Sequence, residues 1–126
     1  MTDTELLDLA AEAMKNAYAP YSKFCVGAAL LCKDGTVFTG CNIENASYGA
    51  ANCAERTAIF KAVSEGHREF SAIAIVSSGG GETYPCGICR QVMAEFSSNL
   101  RVILRDIEGK PVSYNFKDMM PYIFSL

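Results

Sequence analysis

Two short motifs hold the residues best able to do chemistry: Cys53-Ala54-Glu55 and Pro85-Cys86-Gly87-Ile88-Cys89. Each falls where a loop hands over to a predicted helix. A Cys-x-x-Cys at a helix start puts two sulfurs on neighbouring first-turn positions, close enough to share one metal ion. Cys53, at the start of a different helix, can supply a third sulfur from across the site. Helix N-termini carry positive partial charge, which favours the thiolate form. Soft sulfur ligands select zinc over magnesium or calcium. Three protein ligands leave a tetrahedral position open, the pattern of a catalytic rather than a structural centre.

Glu55 stands two residues from Cys53 and can lie beside such an ion without binding it. A carboxylate there can take a proton from water and pass it to a leaving group. Three thiolates also overcompensate a dication, so the site needs positive charge in return. The two helix N-termini supply part of it, and Arg56 is placed to donate hydrogen bonds to the sulfurs. Taken alone, a Cys-x-x-Cys fits a redox motif or half of a structural zinc site equally well. The Cys/His pair that would close a structural site is missing. The only histidine, His67, falls near the far end of the second predicted helix and reads as a surface residue.

The elements that must carry these motifs are legible from periodicity and punctuation. Thr2 and Glu5 form a capping-box pattern, and apolar positions from Leu6 to Ala17 recur at helical spacing, predicting a helix over about Thr4–Ala17. Val26–Cys32 and Val37–Cys41 read as strands joined through Asp34-Gly35, a hairpin signal. Asn52 is the predicted N-cap of a helix from Cys53 to about Ser64, stopped by Gly66. Ala72–Val76 is a predicted central strand, and Pro85-Cys86 opens a helix to about Phe96. Val102–Leu104 and Val112–Asn115 complete five strands, with a short helix and tail after them. This alternation predicts an α/β fold with helices packed against the sheet, and 126 residues suit a single domain over 1–126.

Bulk composition narrows the function class. Half the residues are hydrophobic, a fifth are charged, and net charge is −3 with pI about 5.1. The basic residues are scattered, so a nucleic-acid partner is not expected, because backbone binding needs a positive surface. No apolar run is long enough for a membrane span, and the acidic N-terminus does not resemble a targeting signal, so a cytoplasmic protein is expected. Six cysteines without a signal peptide read as free thiols and metal ligands rather than a disulfide framework. Cys25, Cys32 and Cys41 lie in or beside strands and behave as small hydrophobes.

At the metal motifs the chain matches the three-Cys variant of the zinc deaminase signature. It closely resembles the small homotetrameric cytidine deaminases. The likeness extends over Ala19-Pro20-Tyr21-Ser22-Lys23-Phe24, Val26-Gly27-Ala28-Ala29-Leu30, Gly40-Cys41-Asn42-Ile43-Glu44-Asn45-Ala46, Asn52-Cys53-Ala54-Glu55-Arg56-Thr57-Ala58 and Pro85-Cys86-Gly87-Ile88-Cys89-Arg90-Gln91. The resemblance implies a three-layer α/β/α fold with a mixed five-stranded sheet. It implies one zinc ion per subunit on Cys53, Cys86 and Cys89, with Glu55 as proton shuttle in contact with the ring nitrogen.

The implied reaction is hydrolysis of cytidine and 2′-deoxycytidine to the uracil nucleosides with release of ammonia, a step of pyrimidine salvage. The backbone amide of Ala54 would hold the pyrimidine carbonyl, Asn42 and Glu44 the ribose hydroxyls, and Phe24 the base face. An amide and a carboxylate two apart on an extended segment do point the same way. The family's homotetramer shares sites between subunits, which implicates Tyr48 and Phe124. The likeness weakens after Arg101, and Ile88 stands where many relatives carry a smaller residue, a departure that bears on the pocket wall.

Two rival readings make different predictions. A blasticidin S, guanine or nucleotide deaminase would share the metal chemistry, but the Asn42-Ile43-Glu44 segment favours a sugar and no phosphate clamp is evident. A non-catalytic zinc or nucleic-acid-binding domain, or an RNA-editing enzyme, would need a dispensable Glu55 or a basic surface.

Overall fold

The computed structural model describes residues 1–126. Its elements follow the order α1 (Asp3–Met14), β1 (Val26–Cys32), β2 (Val37–Cys41), α2 (Ala54–Ser64), β3 (Phe70–Ser77), α3 (Gly87–Phe96), β4 (Arg101–Arg105), β5 (Pro111–Asn115) and α4 (Phe116–Met119), with one 3₁₀ turn at Tyr48–Ala50. The five strands form one mixed sheet in the order β2-β1-β3-β4-β5. β1 pairs antiparallel with both β2 and β3, β4 pairs antiparallel with β5, and only β3 and β4 run parallel. The parallel pair is the one joined through a helix, as a crossover requires.

Side-chain alternation along the strands divides the core into two layers. Ala28, Leu30 and Cys32, with Ile73, Ile75, Val102 and Leu104, face one side and are covered by α2, α3 and Phe116 of α4. Ala29, Ala72, Ala74, Val76 and Ile103 face the other and are covered by Leu6, Leu7 and Ala10 of α1. Three alanines on that second face let α1 lie close. At Gly27 the approach is closest, since a Cβ there would stand 2.0 Å from the Ala10 carbonyl oxygen. The three-layer α/β/α arrangement expected from the resemblance is therefore present.

Helix α1 starts at its predicted cap: Thr2 Oγ1 accepts from Glu5 N–H at 3.1 Å, and Glu5 Oε2 accepts from Thr2 N–H at 3.2 Å. It ends at Met14 rather than Ala17, because Tyr18 N–H turns away to bond the Asn42 carbonyl. The hairpin turn uses Gly35 at φ +92°, a conformation glycine reaches without a Cβ clash. All six cysteines are free thiols. No helix is long and apolar enough to cross a membrane.

Candidate active site

The site forms where the N-termini of α2 and α3 meet. Cys53 is the N-cap of α2 and Cys86 the N-cap of α3, both extended at φ −75°, ψ 157° and φ −70°, ψ 169°. Neither side chain caps its helix, so both sulfurs are free to bond elsewhere. Cys89 follows in the first turn of α3 and is fully buried. The Sγ atoms of the three residues lie within 4.8 Å of one another, with Cys53 and Cys86 at 3.7 Å. Zinc–sulfur bonds of about 2.3 Å in a tetrahedron put sulfurs about 3.8 Å apart, so this triangle fits one zinc ion.

The predicted helix starts are corrected by one or two residues. The sequence reading made Asn52 the cap of the second helix, whereas Cys53 takes that position and Asn52 Nδ2 donates to Thr57 Oγ1 at 3.1 Å. Pro85 lies outside α3, which begins at Gly87. Both shifts have one effect: Cys53 and Cys86 occupy extended cap positions, where a side chain projects beyond the helix end.

Other contacts fix the two helix ends. Thr57 Oγ1 lies within hydrogen-bond distance of the carbonyls of Cys41 and Cys53, at 3.0 and 3.1 Å, tying α2 to the end of β2. Gly40 lets that helix sit against β2, since a Cβ there would be 2.6 Å from both the Ala54 carbonyl oxygen and the Ala58 nitrogen. On α3, Arg90 donates from Nε to the Pro85 carbonyl and from Nη1 to the Met119 carbonyl, both at 2.8 Å.

The electrostatics favour thiolate at Cys53. Arg56 Nη2 donates to Cys53 Sγ at 3.3 Å. The Cys53 thiol is held well below its usual range, first by a hydrogen bond from the Cys89 thiol and then by Arg56, against the opposing effect of burial. Cys89 is held correspondingly high, first by that same bond and then by burial. Glu55 is only 5 % exposed, and its carboxyl is pushed up to about 7, chiefly by burial.

A cavity of about 270 Å³ opens beside these groups. Cys53, Ala54, Glu55 and Cys86 form its floor, while Phe24, Asn42 and Glu44 come from the segments flanking the β1–β2 hairpin. Ser22, Val26, Thr83 and Tyr84 also line it, none of them expected from the sequence as a site residue. Asn42 spans the backbone beside Phe24, its Oδ1 accepting from Val26 N–H and its Nδ2 donating to the Phe24 carbonyl, both at 2.8 Å. Glu44 Oε1 accepts from the N–H groups of Tyr21 and Ser22 at 3.0 and 3.1 Å, and its Oε2 accepts from the Ser22 hydroxyl. These bonds fix the two side chains and still leave acceptor capacity on both and a second amide hydrogen on Asn42.

The remaining expected residues fall outside this cavity. Tyr48 is 85 % exposed and lines an adjoining depression with Tyr21, Ser22 and Glu44. Phe124 is exposed on the tail, where its carbonyl accepts from Gln91 Nε2 at 3.0 Å. Ile88, between the two ligands of α3, is 62 % exposed and does not line the cavity. A separate cavity bounded by Cys32–Asp34 and Gly66–Glu69 contains none of the three clustered thiols. There His67 Nε2 pairs with Asp34 Oδ2 at 3.2 Å and its ring meets Phe38 edge-on.

Three clustered cysteine sulfurs that fit one zinc ion, a buried carboxyl and an adjoining pocket on an α/β/α sandwich are the arrangement of a zinc-dependent hydrolase. The family model for the cytidine and deoxycytidylate deaminase zinc-binding region matches residues 1–104. The chain belongs to that family. It is 51 % identical over 115 residues to the cytidine deaminase of Sporosarcina psychrophila, covering 90 % of this chain and 85 % of that one. It is 50 % identical over 121 residues to the cytidine deaminase of Halalkalibacterium halodurans, covering 95 % and 92 %. The crystal structure of cytidine deaminase from Burkholderia pseudomallei superposes with a TM-score of 0.93 at 50 % identity, covering 98 % of this chain and all of that one.

Proposed function

We propose that the protein hydrolyses the exocyclic amine of cytidine and 2′-deoxycytidine, consuming one water and yielding the uracil nucleoside and one ammonia. The observation that carries this reading is the juxtaposition of three clustered thiols with a buried, high-pKa Glu55 at the floor of a pocket. Cys53, Cys86 and Cys89 hold zinc, which when bound supplies the Lewis acidity that makes water nucleophilic near neutral pH. Glu55 takes a proton from the attacking water and gives it to the ring nitrogen, then takes the second proton from the added hydroxyl and gives it to the departing amine. A carboxyl with a pKa of about 7 is suited to both directions of transfer at neutral pH.

The rest of the pocket orients the nucleoside. Ala54 N–H, at the first turn of α2, presents a donor to the pyrimidine carbonyl, and the Phe24 ring walls the base. Asn42 and Glu44, already locked by their own hydrogen bonds, offer the sugar hydroxyls a preformed grip. Arg56 acts on the cysteines, offsetting the negative charge of three thiolates.

The reading extends to one deaminase domain over 1–126, assembled as a cytoplasmic homotetramer in which Tyr48 and Phe124 reach a neighbour's site. In support, both side chains are exposed large aromatics with no buried role in the monomer.

A substrate panel tests the function. Cytidine and 2′-deoxycytidine are expected to turn over with ammonia and uracil nucleoside in equal amounts. CMP, for which the pocket presents no lysine or arginine, is expected to be poor. Faster turnover of CMP than of cytidine would overturn the substrate assignment.

A further inference from the structure

Gly79 lies just beyond β3, and nothing in its backbone demands glycine: its φ is outside the left-handed range that its neighbours Gly80 and Gly81 occupy at +71° and +73°. What demands it is space. A Cβ at position 79 would stand 2.8 Å from Cε1 of Phe24, closer than real Cβ contacts come. Ordinary contact begins near 3.4 Å, so the ring would have to move by about 0.6 Å.

The backbone that carries the ring has little freedom to retreat. Phe24 N–H donates to Ser22 Oγ at 3.0 Å, and its carbonyl accepts from Asn42 Nδ2 at 2.8 Å, so the backbone is pinned on both sides. The residue before Gly79 is held in turn, because Cys25 N–H donates to Ser78 Oγ at 3.0 Å and Ser78 N–H donates to the Cys25 carbonyl at 2.8 Å. With both backbones held, a clash is relieved by rotating the Phe24 side chain, which borders the pocket.

We infer that Gly79 is a positioning residue for the reaction: by carrying no side chain, it sets where the Phe24 ring stands and hence the shape of the base-binding pocket. The inference rests on the reading of this cavity as the nucleoside site with Phe24 as its wall.

Zinc-loaded Gly79→Ala, Phe24→Leu and the double variant test it, with kcat, KM for cytidine, zinc content and melting temperature measured for each. Leucine ends before the Cε1 position, so it removes the 2.8 Å contact. Gly79→Ala is expected to raise KM about two- to tenfold, the range of one displaced rotamer. Its kcat should stay within about twofold and its zinc content should be unchanged. In the Phe24→Leu background the same substitution should change KM little.

An unchanged KM in Gly79→Ala beside a raised KM in Phe24→Leu would overturn this inference alone. An equal rise from Gly79→Ala in both backgrounds would also overturn it, by showing a route other than Phe24. Wild-type kinetics in Phe24→Leu would overturn the assignment of Phe24 to the site, and this inference with it. Should Gly79→Ala fold poorly, recovery of the melting temperature in the double variant reports the same contact, and failure to recover overturns it.

Discussion

Gly40→Ala is a perturbation of one methyl group whose effect should appear at the metal. The added Cβ would lie 2.6 Å from the Ala54 carbonyl oxygen, 2.6 Å from the Ala58 nitrogen and 2.9 Å from Thr57 Cβ. Two of the three are backbone atoms of α2, so no flexible side chain can give way. Restoring a separation of about 3.4 Å requires the helix start to move about 0.8 Å from β2. That segment carries Cys53, Ala54 and Glu55, and metal sites tolerate deviations of only about 0.2 Å in ligand distance. Overpacking of this kind costs about 1–3 kcal/mol of stability. A misplacement approaching 1 Å costs on the order of a hundredfold in turnover. The assay is kcat/KM on cytidine, with zinc quantified after gel filtration and the melting temperature recorded. We expect zinc retention to weaken and kcat/KM to fall by about 10- to 100-fold. A variant with full zinc and wild-type kcat/KM would refute the argument that the contact of α2 with β2 sets the site geometry.

Three further perturbations separate the parts of the account. Ser22→Ala removes the hydroxyl that donates to Glu44 Oε2, leaving that carboxylate held only by the N–H groups of Tyr21 and residue 22. KM for cytidine should rise about tenfold with little change in zinc content. Arg56→Gln removes the donor to Cys53 Sγ, and zinc affinity measured by chelator competition should fall about 10- to 100-fold. Asp3 pairs with Arg101 at 3.0 Å, and that hydrogen bond holds the Asp3 carboxyl below its usual range. A depressed folded-state pKa stabilises the fold above the unfolded value and loses that stabilisation as pH falls through the folded one. Asp3→Asn should therefore cost about 0.5–1 kcal/mol at pH 7, for a half-exposed pair at a helix start. The gap to wild type should close in urea titrations as pH falls through the lowered folded-state pKa of Asp3.

Much of the fold was legible because the chain's local signals agree with one another. Strands β1 and β2 match their predicted bounds, since apolar runs flank an Asp34-Gly35 turn whose glycine takes positive φ. β3 extends beyond the predicted Ala72–Val76 to Phe70 and Ser77 because β1 pairs with it along its full length, from Cys32 opposite Phe70 to Val26 opposite Ser77, which a local apolar pattern does not register. The sheet order is likewise a long-range outcome.

At the site, the cysteines and Glu55 stood out through residue type and spacing, and the resemblance pointed to Asn42, Glu44 and Phe24. Thr83 and Tyr84 gave no such signal, because they sit in irregular segments whose positions are set by tertiary contacts. Thr83 bonds Ser77, and Tyr84 packs edge-on against Tyr114, which in turn donates to the Glu82 carboxylate. Gly40 reads as an ordinary strand residue until the helix lying on it is seen.

The most direct test of the central claim is the ultraviolet absorbance of cytidine incubated with the protein and with Glu55→Gln at equal zinc content. The cytidine band should be lost with the wild-type protein, and at a rate lower by at least about a hundredfold in the variant. Equal rates in the two proteins, or a flat trace from zinc-loaded wild type, would contradict the claim.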